Sequence, residues 1–251
     1  MKQELSKEFL TLLEKLIFRF QPLQLFCFHQ IGNDLFLLMV TDSVSRIEHT
    51  VQDFANAHYR PGRVVILVHG KQSIENSLAA GNGFFKNACQ PFNLRYSSGD
   101  DLILDLECDA MSSIPELKAG FERRSALTQG FFASAKDCFM RGQYNLSVFL
   151  LHQTVEQCCI GLIGLHMDYR CDIHNLYRLL SLCRCFSTEP FDIFLSGDNN
   201  DRRLFDVLLK SYCEARYKMN FVVAVEDLRL IFEKVERLVA CAKITSVNVV
   251  Y

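Results

Sequence analysis

Residues 149–159 read FLLHQTVEQCC, a run of large apolar side chains with a histidine, a glutamine and a glutamate at its centre. The run sits inside a stretch of helical spacing, 143–167, in which Tyr144, Val148, Leu151, Val155, Cys158 or Cys159, and Leu162 follow one another at three- or four-residue steps. Such a stripe must be buried against neighbouring elements. His152 and Glu156 are four residues apart, so they stack about one turn apart on one face. Charged side chains are seldom fully buried without partners. The polar residues are therefore a solvent-facing stripe, a buried network or a site. Apolar residues flank both His152 and Glu156, which favours a polar group inside or at the edge of a bundle. A carboxylate held there needs a cation or several donors.

The rest of the chain divides by texture. From Lys2 to about Asp109, helical and strand patterns alternate. Residues 4–20 read as an amphipathic helix through Phe9, Leu10, Leu13, Leu16 and Ile17. Residues 23–29 and 34–41 read as strands around an Ile31-Gly32-Asn33 turn. A helix is expected over 44–58, capped by Asp42 or Ser43 and ended by Pro61-Gly62. A third strand follows over 63–70, then helices near 72–80 and 83–89 and a weak strand near 92–96. This predicts an α+β or α/β domain with a small mixed sheet over 1–110. From Pro115 helical spacing dominates: 115–141, 143–167, about 174–183, 199–216 and 224–243. Residues 186–200, rich in Pro, Gly and Asn breaks, read as a loop. An all-α bundle is expected over 115–244, with the boundary in LECDAMSSIPE, 106–116.

Composition narrows the function classes. The chain has 251 residues and a formal net charge of −2, so no global basic field speaks for bulk nucleic-acid binding, and no DNA partner is expected. The N-terminus mixes charges with apolar residues, unlike a secretory leader, and no transmembrane helix or membrane partner is expected. Eleven cysteines, an odd number with Cys158 and Cys159 adjacent, read as reduced thiols of a cytoplasmic protein. The best metal-ligand cluster, Cys171, His174, Cys183 and Cys185, has none of the usual zinc spacings, so no metal is expected.

GQYNLSVFLLHQTVEQCCIGLIGLH, followed by DIHNLYRLL and later LLKSYCEARY, resembles the HEPN domain, the "higher eukaryotes and prokaryotes nucleotide-binding" bundle. The resemblance implies a nucleotide or RNA ligand, no cofactor, and a homodimer formed through the helical half. It implies a site drawn from His152, Glu156, His174, Arg216, Tyr217 and Lys218, with Arg216 as the cation for Glu156. A guanidinium fork suits phosphate, and Tyr217 could stack on a base. Many members of that family are metal-independent ribonucleases marked by an arginine, a polar residue and a histidine four to six positions on. Here Arg216 is followed by Tyr-Lys-Met-Asn-Phe-Val-Val, without that histidine. His174 matches the family's H-x-L position, whose ordinary role is to cap or orient the next helix.

HEPN domains often accompany minimal nucleotidyltransferases, and residues 64–96 are similar to the later part of such a domain. Its Gly-Ser turn and Asp-x-Asp pair are not matched by His29-Gln30-Ile31-Gly32-Asn33 and Asp34-Leu35-Phe36. One carboxylate cannot assemble a two-metal site. The expected protein is a degenerate nucleotidyltransferase-like domain followed by a HEPN bundle that binds nucleotide or RNA without catalysis, in a stress or toxin–antitoxin setting. The alternatives are a ribonuclease and a ligand-free dimerisation scaffold.

Overall fold

A computed structural model describes residues 6–42, 47–60, 62–99, 113–218 and 220–247, without the Arg216 side chain. The chain divides into two compact units, Met1–Ser112 and Ser113–Tyr251.

In the first unit, helix α1 (Lys7–Phe20) starts where the Ser6 hydroxyl accepts the Phe9 N–H at 3.2 Å. Strands β1 (Gln24–Ile31) and β2 (Asp34–Thr41) form an antiparallel hairpin whose turn uses Gly32 at φ +56°. Helix α2 (Glu48–His58) carries the chain across to β3 (Val64–Gly70), which runs parallel to β2. Helices α3 (Lys71–Ala79) and α4 (Gly83–Ala88) lead through a short 3₁₀ turn, Pro91–Asn93, to β4 (Leu94–Ser97), antiparallel to β1. The sheet order is β3-β2-β1-β4. The expected mixed sheet is present.

Every residue of β2 is buried because both faces of the sheet are covered. Leu35, Leu37 and Met39 pack with Phe9, Leu12 and Leu16 of α1 and with Val51 and Ala55 of α2. On the other face the Phe84 ring lies edge-on to Phe28, and the Phe85 ring edge-on to His69. The open edge of β3 is closed by a side chain. The buried Gln52 donates to the Val64 carbonyl at 2.8 Å and accepts the Ile66 N–H at 3.0 Å. Its carboxamide thereby stands in for the peptide group of a neighbouring strand. Helix α2 starts at Glu48 on Ile47, without a side-chain cap, and ends at His58. The expected start at 44, the Ser43 cap and Pro61 lie outside the described residues.

The second unit contains six helices among the described residues: α5 (Ile114–Met140), α6 (Tyr144–Met167), α7 (Leu176–Cys183), α8 (Glu189–Phe194), α9 (Asn199–Tyr217) and α10 (Val225–Val247). Ser113 and Glu116 form a reciprocal capping box at the start of α5, with Pro115 in its first turn. The stretch read as a loop over 186–200 contains α8. Pro190 is compatible with it because the first turn of a helix needs no proline N–H. Asn175, whose side chain accepts the Arg178 N–H, caps α7. His174 therefore sits just outside that helix, in the extended segment before it.

Helix α6 packs against α5, α7, α9 and α10. It is long and apolar enough, by length and composition, to cross a membrane, contrary to the expectation from sequence that no segment of the chain is; most of its apolar window is buried inside the bundle. Small polar groups on it are satisfied locally. Ser147 donates to the Ala135 carbonyl of α5 at 2.8 Å, and Thr154 to the Leu150 carbonyl at 2.9 Å. Charged side chains tie α10 to α8 and α9. Lys234 of α10 meets Asp201 of α9 at 2.7 Å and the Ile193 carbonyl of α8 at 2.7 Å, and Arg203 of α9 clasps both oxygens of Asp227 of α10.

Helices α5 and α6 approach each other closely at Gly161. A Cβ there would lie 3.1 Å from the Arg124 Cβ and 3.4 Å from the Phe121 ring. Because Arg124 Cβ is fixed to its backbone, the two helices would have to part. Gly161→Val is expected to destabilise the protein by about 1–3 kcal/mol through overpacking, read as a lowered denaturation midpoint. A mutant as stable as the wild type would refute close packing at this point.

Candidate functional site

The polar centre of α6 is resolved residue by residue. His152, 2% exposed, stacks on the Tyr212 ring of α9 at 4.9 Å between centroids, and its Nδ1 lies 3.4 Å from Gln153 Nε2. Stacking on an aromatic ring gives this imidazole an apolar body contact while one edge stays polar. His152 thus serves as a tie between α6 and α9.

Glu156, one turn further on, is 3% exposed and faces a different neighbour. Its Oε1 lies 3.3 Å from His174 Nδ1 and accepts from Gln157 Nε2 at 3.4 Å. The second oxygen, Oε2, is buried with no hydrogen-bond partner. His174 is the opposite case: its side chain is 66% exposed. It lies on an extended segment whose alternate residues, Tyr169, Cys171 and Ile173, are buried, while Arg170, Asp172 and His174 face outward. The pair is therefore a carboxyl inside the bundle touching an imidazole at its surface.

A second-row contact extends the arrangement inward. Arg124 of α5 donates through NH1 to Gln157 Oε1 at 2.6 Å. Arg124 lies in the charged FERRS stretch of α5, and it is half-buried because α5 and α6 close on each other at Gly161. Arg124, Gln157 and Tyr212 are the site residues that sequence reasoning missed. The only signal for Gln157 is its place beside Glu156.

Burial pushes the Glu156 carboxyl up, and this outweighs the opposing effects of His174, Gln157 and the Arg124 charge. Burial also pushes the neighbouring Cys158 thiol well up, and Cys159 is pushed up by its hydrogen bond to Cys183 as well as by burial. These thiols behave as core side chains. Among the described residues all cysteines are free thiols, and no group of three or more His, Cys, Asp or Glu could hold a metal.

The other expected site residues lie at the end of α9. Tyr217 is largely exposed, and Lys218 is paired with Glu214 at 2.6 Å on its own helix. The Arg216 side chain lies outside the described residues, so the expected Glu156–Arg216 pair does too. Among the described residues, the cation that acts on Glu156 is Arg124, through Gln157, with His174 in direct contact. Beside the end of α9, Gln143, Tyr144, Asn145, Leu146 and Phe149 of the α6 start, with Ala215, Val222 and Val223, line a groove of about 560 Å³. Asn145 fixes its wall by donating to the Phe221 carbonyl.

The direction of the Glu156 shift has a consequence for stability. Its folded pKa is raised, so the folded state prefers the protonated carboxyl more than the unfolded chain does. The stabilisation is complete below the unfolded value, about 4.3, and is lost as pH rises through the folded value. Glu156→Gln is neutral at every pH. It should raise the melting temperature at pH 7, and its advantage over the wild type should vanish as pH falls below about 4. A mutant destabilised at pH 7 would show that the ionised carboxylate is a net stabiliser.

Comparison with known proteins returns no match among curated proteins. The family model described as the HEPN domain matches residues 128–245, from the middle of α5 through nearly all of α10, and leaves the N-terminal unit without a family. That match takes in His152, Glu156, Gln157, His174 and the whole of α6 to α9, while Arg124 lies four residues before it. The helical unit of this chain therefore contains, at residues 128–245, a HEPN domain, a family linked to nucleotide binding and ribonuclease activity.

Proposed function

We propose that the helical unit is a binding module for nucleotide or RNA that does not cleave its ligand, with His174 as the contacting group and Glu156 behind it. The observation that carries this reading is the Glu156–His174 pair. A carboxyl buried with one oxygen unpartnered costs stability, and such groups concentrate at functional sites. Its partner imidazole is largely exposed and can meet a ligand. The family match supports the ligand class.

Two features favour binding over cleavage. The sequence after Arg216 has no histidine within seven positions, so the arginine–histidine pair that would polarise the RNA backbone and move a proton is incomplete. The chain there continues into Val222 and Val223, which line an apolar groove. In the N-terminal unit, Asp34 at the head of β2 is buried and holds Arg63 NH1 at 2.9 and 3.2 Å. The next residue on the same side of the strand is Phe36. That is consistent with a degenerate nucleotidyltransferase-like domain and with no nucleotidyl transfer, because the one carboxylate already neutralises a cation. The groove, bordered by the exposed Leu146 and Val222, also suits a second copy of the bundle, and homodimerisation there is the scaffold reading. A cytoplasmic location and a role in stress or toxin–antitoxin biology remain part of the proposal and rest on the thiol content and the family.

The test is fluorescence anisotropy and thermal shift with ATP and a labelled single-stranded RNA, on the wild type and His174→Ala. A ligand at one hundred times its dissociation constant should stabilise the fold by about 2.7 kcal/mol. His174→Ala should weaken binding about tenfold in a variant that circular dichroism shows to be folded, since the imidazole it removes is largely exposed. RNA cleavage that is lost in Arg216→Ala would establish the ribonuclease instead. Binding of neither probe, with dimers by light scattering, would establish the scaffold.

A further inference from the structure

Gln157 sits between a cation and a carboxyl, and a carboxamide has two different ends. Arg124 NH1 donates to its oxygen at 2.6 Å, so only the NH₂ end remains to face Glu156 Oε1, 3.4 Å away. Flipped, the amide would set its NH₂ against a guanidinium and its oxygen against a carboxylate, two repulsive contacts in place of two attractive ones. Glu156 Oε1 is thereby fixed where it meets His174 Nδ1 at 3.3 Å. With the carboxyl ionised, that nitrogen carries the ring hydrogen, because the carboxylate can only accept. The other ring nitrogen, Nε2, is left as the acceptor edge of a ring that is 66% exposed.

We propose that Arg124 and Gln157 are positioning residues that, through Glu156, hold His174 as the Nδ1–H tautomer and so present Nε2 to the ligand. This rests on the binding reading above for its purpose but not for its geometry. The pieces come from three elements. Arg124 is on α5, Gln157 and Glu156 are on α6, and His174 is on the segment before α7. Among the described residues, the titratable groups that act on Glu156 are His174 and, from α5, Arg124. The Cys159 thiol of α6 feels the Glu156 charge and is hydrogen-bonded to Cys183 of α7. Neither thiol could replace the guanidinium, since a thiol is neutral and its conjugate base is an anion.

The relay has a specific signature. A neutral imidazole in water favours hydrogen on Nε2, so an Nδ1–H ring reports the carboxylate contact. Long-range ¹H–¹⁵N spectra of the full chain without ligand, at a pH where His174 is neutral, read the tautomer directly. His174→Ala identifies the signal. The wild type should show the Nδ1–H pattern. Arg124→Met and Gln157→Leu should each lose it, with the ring reverting to the Nε2–H form, and Arg124→Lys should retain it because it keeps a donor on the amide oxygen. Circular dichroism and the melting temperature of each variant identify those that are folded. Gln157→Leu, which deletes only the amide, supplies the readout if Arg124→Met does not fold. A folded Arg124→Met or Gln157→Leu that keeps the Nδ1–H pattern overturns the relay, as does a wild type in the Nε2–H form. The relay and the binding reading fail separately. A correct tautomer with no RNA or ATP binding removes the ligand and leaves the relay. Binding that depends on His174 with the tautomer unchanged in both variants removes the relay and leaves the ligand.

Discussion

Burying α6 from four sides is the constraint on which the helical unit depends. A helix packed by α5, α7, α9 and α10 buries most of its surface, so the polar groups buried on it must be resolved within the bundle. Each is answered differently. Ser147 bonds across to α5, Thr154 bonds back to its own helix, His152 stacks on Tyr212, and Glu156 reaches the surface through His174. The Glu156 solution is incomplete, because one of its oxygens has no partner, and His166 Nε2 further along α6 is likewise buried without one. The cost of desolvating that carboxyl appears as the upward shift of its pKa.

The same packing sets the electrostatics. Gly161 lets α5 approach α6 closely enough for Arg124, one turn of α5 beyond Phe121, to reach Gln157. A guanidinium bonded directly to Glu156 would pin the carboxylate and leave less for the imidazole. Interposing a neutral amide keeps the cation near while leaving Oε1 to His174. The site is thus a consequence of where two helices touch, and its exposed end is one imidazole on an extended segment anchored by Tyr169, Cys171 and Ile173.

The N-terminal unit follows a different rule. Its parallel pair β2–β3 is covered on both faces, and the edge of β3 is closed by Gln52. Asp34 and Arg63 neutralise each other at the rim. Each feature answers a structural need, and none of them assembles a group of carboxylates.

Much of this architecture was legible in the chain because it depends on local periodicity. The strands at 34–41 and 63–70, the long helices on either side of Gly142 and the change of texture before Pro115 are properties of neighbouring residues. So was the H-Q-x-x-E pattern, which lies within the HEPN match at 128–245. Short elements were harder. Helix α8 was hidden by a proline that is harmless in a first turn, and the cap of α7 is Asn175, beside the histidine that draws the eye. The choice of partners was not legible at all. His152 and Glu156 share a helix face in the sequence, yet one meets α9 and the other the segment before α7, because separate neighbours pack along α6. Arg124 lies in a charged stretch of its own helix and becomes half-buried because Gly161 admits it from another. The sequence determined which side chains had to be buried; the tertiary structure decided what each would meet, since that depends on helices brought together across tens of residues.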